Sequence, residues 1–427
     1  MGTAGSEKQQ QPQPRRRRRM VARRWLTWLI VLGCVLVGTG LLTFQVSLWR
    51  ARVAIEDRRH SAAERWLSVA RLCWPANGEW HFLSVIVSRR AGEFERTKRE
   101  LKNAFDLGWP SRELDRQQLL AYAQTGQFAQ VGQHWSQLFQ DAGSDGPELC
   151  RAYIDFLMTR FQLHEVAGII DGWRSDFPDD PGPWVIEGMI SANQLLWSAA
   201  ESRFQKALEL DPSLDDARFR LAETQIRQLK FSEAESNLRL LAQQTPEVIA
   251  SQAHCMSQQG RLAEALTSLQ SAVETYPKNI QVLAELGRLQ LMAGDYSSAL
   301  AALEEALKIQ PENTEFRYAY AQALRNSGRE QEAVEHFERV NEATKALKDL
   351  ARLTRQVVSR PDDIEARFKV AEITWKWKSR QDGLAWLLSI LDYEPTHRAT
   401  HALLATHYSE AGDKDKAEAH TRMSRGE

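Results

Sequence analysis

The chain has 427 residues, of which 43 % are hydrophobic and 26 % charged, values that are typical of folded proteins and exclude a largely disordered chain. Its formal net charge of −1 conceals an asymmetry, because residues 1–24 hold eight Lys or Arg and one acid, which leaves −8 for the rest. A mildly acidic body argues against a nucleic-acid-binding surface, which needs a basic face.

A long uncharged segment follows the basic tail. Residues 25–49 contain no charged side chain, and 13 of these 25 residues are Leu, Ile, Val or Phe. As an α-helix the segment would be about 37 Å long, slightly more than the hydrocarbon core of a bilayer at about 30 Å. Trp25, Trp28 and Trp49 occupy the positions where interfacial aromatic belts form. The sequence therefore predicts a single transmembrane helix over 25–49, preceded by a disordered basic tail over 1–24.

Flanking charge predicts the orientation of this helix. Seven arginines precede it within residues 15–24, whereas the four that follow it closely are interleaved with two acids. The positive-inside rule then places the N-terminus in the cytoplasm and the body across the membrane, and we expect a bacterial inner membrane. A cleaved signal peptide is disfavoured, because the apolar run is too long and no small-residue cleavage site follows it. Two alternatives remain, a twin-arginine export signal at Arg23 and Arg24, and binding of anionic lipid or nucleic acid by Arg15 to Arg19.

Prolines, glycines and small residues recur in the body at a nearly constant interval. Pro178, Pro212, Pro246, Pro277 and Pro311 are separated by 34, 34, 31 and 34 residues. Gly260, Gly294 and Gly328 are 34 residues apart as well. Twelve residues before each of the last four prolines stands an alanine, and an apolar side chain follows four residues after that alanine. These pairs are Ala200 and Phe204, Ala234 and Leu238, Ala265 and Leu269, and Ala299 and Leu303.

This pattern resembles the tetratricopeptide repeat (TPR), in which Trp, Leu-Gly, Tyr, Ala, Phe, Ala and Pro stand at fixed offsets over 34 residues. The copy at 181–214 has Trp184, Gly188, Ala200, Phe204, Ala207 and Pro212. Further copies are 215–248, 280–313, 314–340, 364–397 and 398–427, and the copy at 249–279 has lost about one turn of its first helix. Weaker copies are 78–111, 112–146 and 147–180, and Ala63, Leu67 and Ala70 suggest the second helix of another.

The predicted fold is all-α, a TPR α-solenoid of about nine to ten helix pairs preceded by the transmembrane helix. Each unit is an antiparallel helix pair that buries its apolar stripe only by stacking on its neighbours. Gly260, Gly294, Gly328 and Gly412 are expected to end first helices in the left-handed conformation. The domain prediction is degenerate repeats over 52–180, a regular array over 181–340, an irregular helical connector over 341–363 and a C-terminal pair over 364–427.

No sequence motif of catalysis is present. A phosphate-binding glycine loop, HExxH and GxSxG are all missing, and adjacent carboxylates such as Glu304 and Glu305 fit a solvated helix face. Four scattered cysteines, Cys34, Cys73, Cys150 and Cys255, predict small buried core residues rather than disulfides or a zinc site. His397, His401, His407 and His420 cluster near the C-terminus, but we expect structural or solvent-facing histidines, since no third ligand accompanies the pair His397 and His401. We therefore predict no catalytic residues, no metal, no cofactor and no enzyme.

The resemblance implies that one face of each first helix lines a concave groove for an extended peptide or a partner helix. Carried over copy by copy, it places these partner-binding residues there: Phe219, Arg227, Arg288, Tyr318, Gln322, Arg325, Asn326, Phe368 and Trp375, together with Ile226, Leu291, Met292 and Glu372. The alternative is that Ile226, Leu291 and Phe368 pack between adjacent repeats. A Lys/Asn clamp for C-terminal carboxylates is not expected, because Val185 and Met189 occupy its positions.

The expected function is a membrane-anchored scaffold that binds other proteins or peptides, with neither nucleic acid nor a small molecule as its ligand. Two alternatives stay open. One is a chaperone-like or secretion-accessory holder of client chains outside the cytoplasm. The other is a non-catalytic regulatory subunit of an enzyme complex.

Overall fold

The computed structural model describes residues 15–74, 76–140, 142–159 and 163–426, with side chains from residue 35 onward except 36, 159, 163 and 164. All regular secondary structure in these ranges is helical. Contacts divide the chain into two compact units, Met1–Ala152 (unit 1) and Tyr153–Glu427 (unit 2). The division therefore lies inside a helix, Gly146–Thr159.

The described helices follow one another with short connections. Those of unit 1 are α1 Arg15–Glu56, α2 His60–Cys73, α3 Gly78–Arg90, α4 Phe94–Asp106, α5 Ser111–Gln124, α6 Phe128–Val131, α7 Trp135–Gln140 and the shared α8 Gly146–Thr159. Those of unit 2 are α9 Leu163–Asp176, α10 Gly182–Asn193, α11 Trp197–Leu210, α12 Asp215–Arg227, α13 Phe231–Arg239, α14 Pro246–Gln258, α15 Leu262–Thr275, α16 Ile280–Ala293, α17 Tyr296–Ile309, α18 Thr314–Asn326, α19 Glu330–Ser359, α20 Ile364–Trp377, α21 Arg380–Leu391, α22 Arg398–Glu410 and α23 Lys414–Arg425.

The predicted membrane segment falls within α1. Residues 1–14 of the predicted tail lie outside the described residues, and so do the side chains of 25–34 and 36 in the predicted span. No helix among the described residues has both the length and the apolarity to cross a bilayer. One face of the end of the predicted span is covered by protein, because Phe44 and Leu48 are buried in one cluster with Ala63 and Leu67 of α2.

The repeat pattern correctly predicts the core of unit 2. The alanine of each frame (Ala200, Ala234, Ala265 and Ala299) is fully buried, and so are Phe204, Leu238, Leu269 and Leu303. A small first-helix residue lets the two helices of a pair approach closely: a Cβ at Gly188 would lie 2.5 Å from the Phe204 ring. Each buried Phe or Leu contributes about 1.5–3 kcal/mol relative to its exposed state, so this column of contacts stabilises the stack.

The predicted glycine caps are confirmed. Gly260, Gly294, Gly328 and Gly412 all have φ between 78° and 84°. The same position of two earlier repeats is occupied by Leu195 and Leu229, which adopt the left-handed conformation at φ 63°. A non-glycine residue there costs about 1–2 kcal/mol, because its Cβ approaches the following carbonyl oxygen.

Two helix boundaries differ from the prediction. The missing turn belongs to α13, the nine-residue second helix of copy 215–248, whereas α14 has a full 13 residues and a Thr245 side-chain cap. Pro246 therefore begins α14 instead of closing the preceding helix. The predicted connector 341–363 is continuous helix through Ser359, because α19 runs 30 residues from Glu330 without a break.

A buried ionic cluster joins α3, α5 and the 3₁₀ turn Gly143–Asp145 in unit 1. The fully buried Arg89 donates to Gln117 Oε1 at 2.8 Å and to Gln124 Oε1 at 2.9 Å, and it also pairs with Asp145. Arg90 donates to the same Asp145 carboxylate at 2.8 Å. Burial by itself would raise the pKa of Asp145, but the two guanidiniums outweigh it and hold that pKa below its ordinary value.

The helices of unit 2 form two layers. The first helices of successive pairs contact one another, α10 with α12, α12 with α14, α14 with α16, and α16 with α18. The first helices therefore form one continuous layer of unit 2.

Candidate functional site

The aromatic residues predicted for the groove are mostly occupied by packing. Phe219 and Ile226 pack against the core cluster around Ala222 and Leu238. Phe368 and Trp375 pack against the cluster of α20 and α21, and their rings lie edge-on to His397 and His407 at 5.3 and 5.1 Å. These residues thus stabilise the packing of adjacent repeats. The sequence left this alternative open for Ile226 and Phe368.

Three predicted residues lie on the exposed face of α18. Tyr318 is 46 % exposed and its ring lies edge-on to Phe337 of α19 at 5.7 Å. The Arg325 guanidinium lies 5.4 Å from the same ring. Asn326 is exposed beside them and Gln322 is half-buried. Tyr318 and Arg325 therefore both contact Phe337, which covers part of each side chain.

Arg288 is held within its own layer. Its guanidinium pairs with Glu285 of α16 and contacts His254 Nδ1 of α14 at 2.6 Å. Burial would raise the pKa of Glu285, but hydrogen bonds from His254 and Arg288 outweigh it and lower that pKa. Arg288 thus stabilises the contact between α14 and α16.

Arg227 lines a shallow concavity of about 220 Å³ between α10 and α12, together with Arg220, Glu223 and Met189. The Glu223 carboxylate reaches solvent, yet the surrounding wall removes part of its hydration and this raises its pKa, against the opposing effect of Arg220 and Arg227. This concavity is too small for more than one side chain of a partner.

A concavity of about 1220 Å³ lies between α9 and α10 on one side and the second half of α19 on the other. We call it the α19 groove. Its apolar lining consists of Met158, Val166, Ala167, Ile170, Ile190, Leu195, Leu347, Leu350, Ala351 and Val358. Val358 and Leu195 are 47 % and 67 % exposed, so both offer apolar surface that no part of the described chain covers.

The charges at the rim of the α19 groove are unequally satisfied. Glu187 pairs with Arg174 at 2.5 Å and with Arg203 at 3.0 Å. Arg355 and Lys378 also line the groove and make no ion pair with a described residue. The rim therefore carries unpaired positive charge beside an apolar floor.

The sequence contained a signal for this groove. Leu347, Leu350, Ala351, Thr354 and Val358 follow the i, i+3, i+4, i+7 spacing of a helical stripe. Leu353 and Val357, on another face of α19, are buried in the cluster formed with α20. Two apolar faces on one helix indicate that it packs against two neighbours. Because this segment departs from the 34-residue repeat, the sequence suggested a connector instead.

Three of the C-terminal histidines make structural contacts. His397 caps α22, and its Nδ1 lies 2.8 Å from the Thr400 hydroxyl. The buried His401 faces His420, with their Nδ1 atoms 2.8 Å apart, and its Nε2 donates to the Pro395 carbonyl. Within the described part of the chain, no three His, Cys, Asp or Glu residues are grouped so that they could hold a metal.

The cysteine prediction is correct for two of the four residues. Cys150 and Cys255 are buried, and burial raises the pKa of the Cys255 thiol to about 12. Cys73 is exposed at the end of α2, contrary to the prediction, and Cys34 lies outside the residues whose side chains are described.

Comparison with known families confirms the repeat. Models of the tetratricopeptide repeat match residues 247–312 and 290–357. The chain therefore carries tetratricopeptide repeats from α14 through most of α19. No curated protein matches the sequence.

Solved structures with related helical arrays share little sequence with this chain. The TPR protein TTC0263 of Thermus thermophilus is 22 % identical, with 45 % of this chain and 98 % of that chain covered and a TM-score of 0.33. PilW, described as a widely conserved type IV pilus biogenesis factor, is 15 % identical over 44 % of this chain and 90 % of its own, at a TM-score of 0.41. A human IFIT1 dimer with PPP-AAAA is 15 % identical over 82 % and 90 %, also at 0.41.

Proposed function

We propose that this chain is a membrane-anchored, non-enzymatic scaffold that holds an amphipathic helix of a partner protein in the α19 groove. The tetratricopeptide repeats support a role in protein interaction. The groove itself carries the proposal, because it combines a volume of about 1220 Å³ with an apolar lining from two opposed walls. Helix-in-groove recognition uses this arrangement, with apolar anchors spaced at i, i+3 and i+4 along the bound helix.

The volume of the groove fits a short helix. A helix about 10 Å across that rises 1.5 Å per residue occupies about 120 Å³ per residue. The groove of about 1220 Å³ therefore corresponds to about ten residues, or three turns.

The charge of the rim suggests the chemistry of the bound segment. Arg355 and Lys378 are unpaired among the described residues, and a partner with Asp or Glu beside its apolar stripe would satisfy both. Hot spots of such interfaces are fully desolvated apolar anchors surrounded by polar contacts, so Leu195 and Leu350 are the expected anchors and the two cations the rim.

The anchor and the location are part of the same proposal. The uncharged segment 25–49, the seven preceding arginines and the flanking tryptophans support a single-pass protein of a bacterial inner membrane with its body outside the cytoplasm. A scaffold so placed would recruit envelope proteins. A chaperone-like holder and a regulatory subunit of an enzyme complex are the alternatives that the experiment below separates from it.

Crosslinking pull-down of the full chain with its anchor intact tests the proposal. Leu347→Glu combined with Ala351→Glu places two charges on the groove wall and should abolish capture of a stoichiometric partner. Tyr318→Ala combined with Arg325→Ala, on the exposed face of α18, is the matched variant and should leave capture nearly unchanged.

Loss of capture in the α18 variant alone would move the site to the predicted first-helix face. Many weakly bound chains, together with suppressed aggregation of unrelated clients, would identify a holder instead. Activity that co-purifies with the partner would identify a regulatory subunit.

A further inference from the structure

The second helix of unit 1 runs back along α1 toward the predicted membrane segment. The Arg50 guanidinium lies 6.0 Å from the Trp66 ring, and the Phe44 and Trp74 rings lie 6.2 Å apart. These two contacts place α2 antiparallel to the end of α1, with Trp74 at the level of Phe44. The end of α2 therefore lies beside residues that belong to the uncharged stretch.

A second turn of unit 1 lies next to the end of α2. A Cβ at Gly78 would lie 3.6 Å from the Leu107 Cβ, so the turn between α2 and α3 adjoins the turn between α4 and α5. Both turns expose large apolar side chains, and α1 exposes Leu42 and Val46 within one turn of Phe44, at about the level of Trp74. We call these six residues the apolar foot: Leu42 (67 % exposed), Val46 (44 %), Leu72 (87 %), Trp74 (47 %), Phe105 (62 %) and Leu107 (46 %).

Basic side chains lie just above the apolar foot. Lys102 and Lys98 precede the end of α4 by about 6 and 12 Å along its axis. Arg71 and Arg99 line a polar cavity of about 460 Å³ between α2 and α4. Glu64 and Glu100 line the same cavity, but they pair with Arg96 and His81. The four cations therefore outnumber the remaining carboxylate, the exposed Asp106 at the end of α4. A headgroup layer is about 5–8 Å thick, which is within reach of these side chains.

The length of the uncharged stretch is consistent with a bilayer surface at the level of the apolar foot. Phe44, Ser47 and Leu48 are buried by protein, so the part of the stretch left for lipid is 25–43. A helix of this length spans about 28 Å, close to a hydrocarbon core of about 30 Å. The bilayer surface would then lie near residue 44, at the level of Trp74.

We propose that the apolar foot sits in the headgroup–acyl boundary of an anionic phospholipid bilayer, with Arg71, Lys98, Arg99 and Lys102 in contact with the headgroups. Unit 1 thus rests on the membrane by two turns in addition to α1. The inference rests on the proposed membrane anchor. Trp74, Leu72 and Phe105 enter the boundary as interfacial aromatic and aliphatic residues do in membrane-surface helices.

Cys73, between Leu72 and Trp74, is a native probe of this contact. The full chain carrying Cys34→Ser is placed, one copy per disc, in phosphatidylglycerol nanodiscs and treated with a charged, membrane-impermeant maleimide. The matched control carries Cys34→Ser, Cys73→Ser and Leu240→Cys, since Leu240 is 67 % exposed at the end of α13. Each rate is divided by the rate of the same thiol in the denatured chain, and Cys150 and Cys255 stay buried in both folded chains.

The expected normalised rate at position 73 is lower than at position 240 by about tenfold or more, because full burial of a leucine-sized surface shifts the exposed population by at least this factor. Phe105→Glu combined with Leu107→Glu should restore the rate at Cys73 while the chain stays in the disc with unchanged helicity. Phosphatidylcholine discs should protect Cys73 less.

Equal rates at positions 73 and 240 in discs that contain the chain would overturn the apolar foot and leave the anchor and the groove intact. Protection that persists in the Phe105→Glu/Leu107→Glu variant would assign the cover to protein instead of lipid. Failure of the chain to enter discs would overturn the anchor and the foot together, without bearing on the groove.

Discussion

At the scale of single residues, Leu195 and Leu229 offer a controlled comparison. Both occupy the repeat position where other copies have glycine, and both have φ 63°. Only Leu195 lines the α19 groove. Both residues therefore have the same backbone strain, but only Leu195 has the proposed contact with a partner.

We expect Leu195→Gly and Leu229→Gly to stabilise the fold by up to about 1 kcal/mol each, because relief of about 1–2 kcal/mol of strain exceeds the extra entropy of an unfolded glycine, about 0.5–1 kcal/mol. Leu195→Gly should also weaken partner binding by about tenfold or more, since one buried leucine is removed. Urea unfolding and titration with the captured partner measure the two effects. Equal affinities of the two variants would contradict the assignment of Leu195 to the site.

The Asp145 carboxylate predicts a pH effect in unit 1. Its folded pKa lies below the unfolded value, so its contribution to stability is present above the unfolded pKa of about 3.9 and is lost as the pH falls through the folded pKa. Asp145→Asn should cost about 3–5 kcal/mol at neutral pH, because the fully buried Arg89 loses its charge partner.

The same variant should lose part of the acid sensitivity of unit 1. The exposed pair of Asp57 with Arg59 is the control, and Asp57→Asn should change the free energy of unfolding by at most about 1 kcal/mol. Unfolding curves at several pH values give both results. A cost for Asp145→Asn no larger than that for Asp57→Asn would mean that Arg89 finds other partners.

At the scale of helices and repeats, the sequence predicted most of the architecture of unit 2. The alanine and leucine columns, the glycine caps and the pairing of helices all follow from local rules of close approach and chain reversal. Two features escaped these rules. The short α13 and the long α19 keep their apolar stripes, but their lengths change the spacing between repeats. A fixed 34-residue frame therefore assigns such helices to the wrong repeat or to a connector.

The predicted partner-binding residues show the limit of a family frame. It placed Phe219 and Phe368 on first helices, but only their contacts show that both pack into the core beside them. The α19 groove depends on helices that are far apart along the chain, α9, α10 and α19. No local pattern reports this kind of proximity.

The continuity of α19 leads to a prediction at this scale. Leu353 is buried against α20, whereas Val358, one turn later, faces the α19 groove. We expect Leu353→Ala to lower the free energy of unfolding of unit 2 by about 2–5 kcal/mol, through lost burial and the cavity left behind. Val358→Ala should change it by less than about 0.5 kcal/mol. Similar small effects of both substitutions, measured by urea unfolding, would indicate an irregular connector here.

At the scale of the whole molecule, the features that point to function are exposed apolar surfaces. Each unit presents one apolar surface that the described chain leaves open, the apolar foot in unit 1 and the α19 groove in unit 2. Exposed apolar surface of this kind marks contact with lipid or protein. In the proposed account, unit 1 contacts the membrane and unit 2 binds the partner protein.

Site-specific photo-crosslinking from α19 in intact cells tests the central claim most directly. The crosslinker replaces Ala351, which lines the groove, or Asp349, which lies about 160° away around the helix axis and is exposed. The account predicts one discrete crosslinked protein from position 351 and none from position 349. Crosslinks of equal yield from both positions, or none from either, would contradict a partner held in the α19 groove.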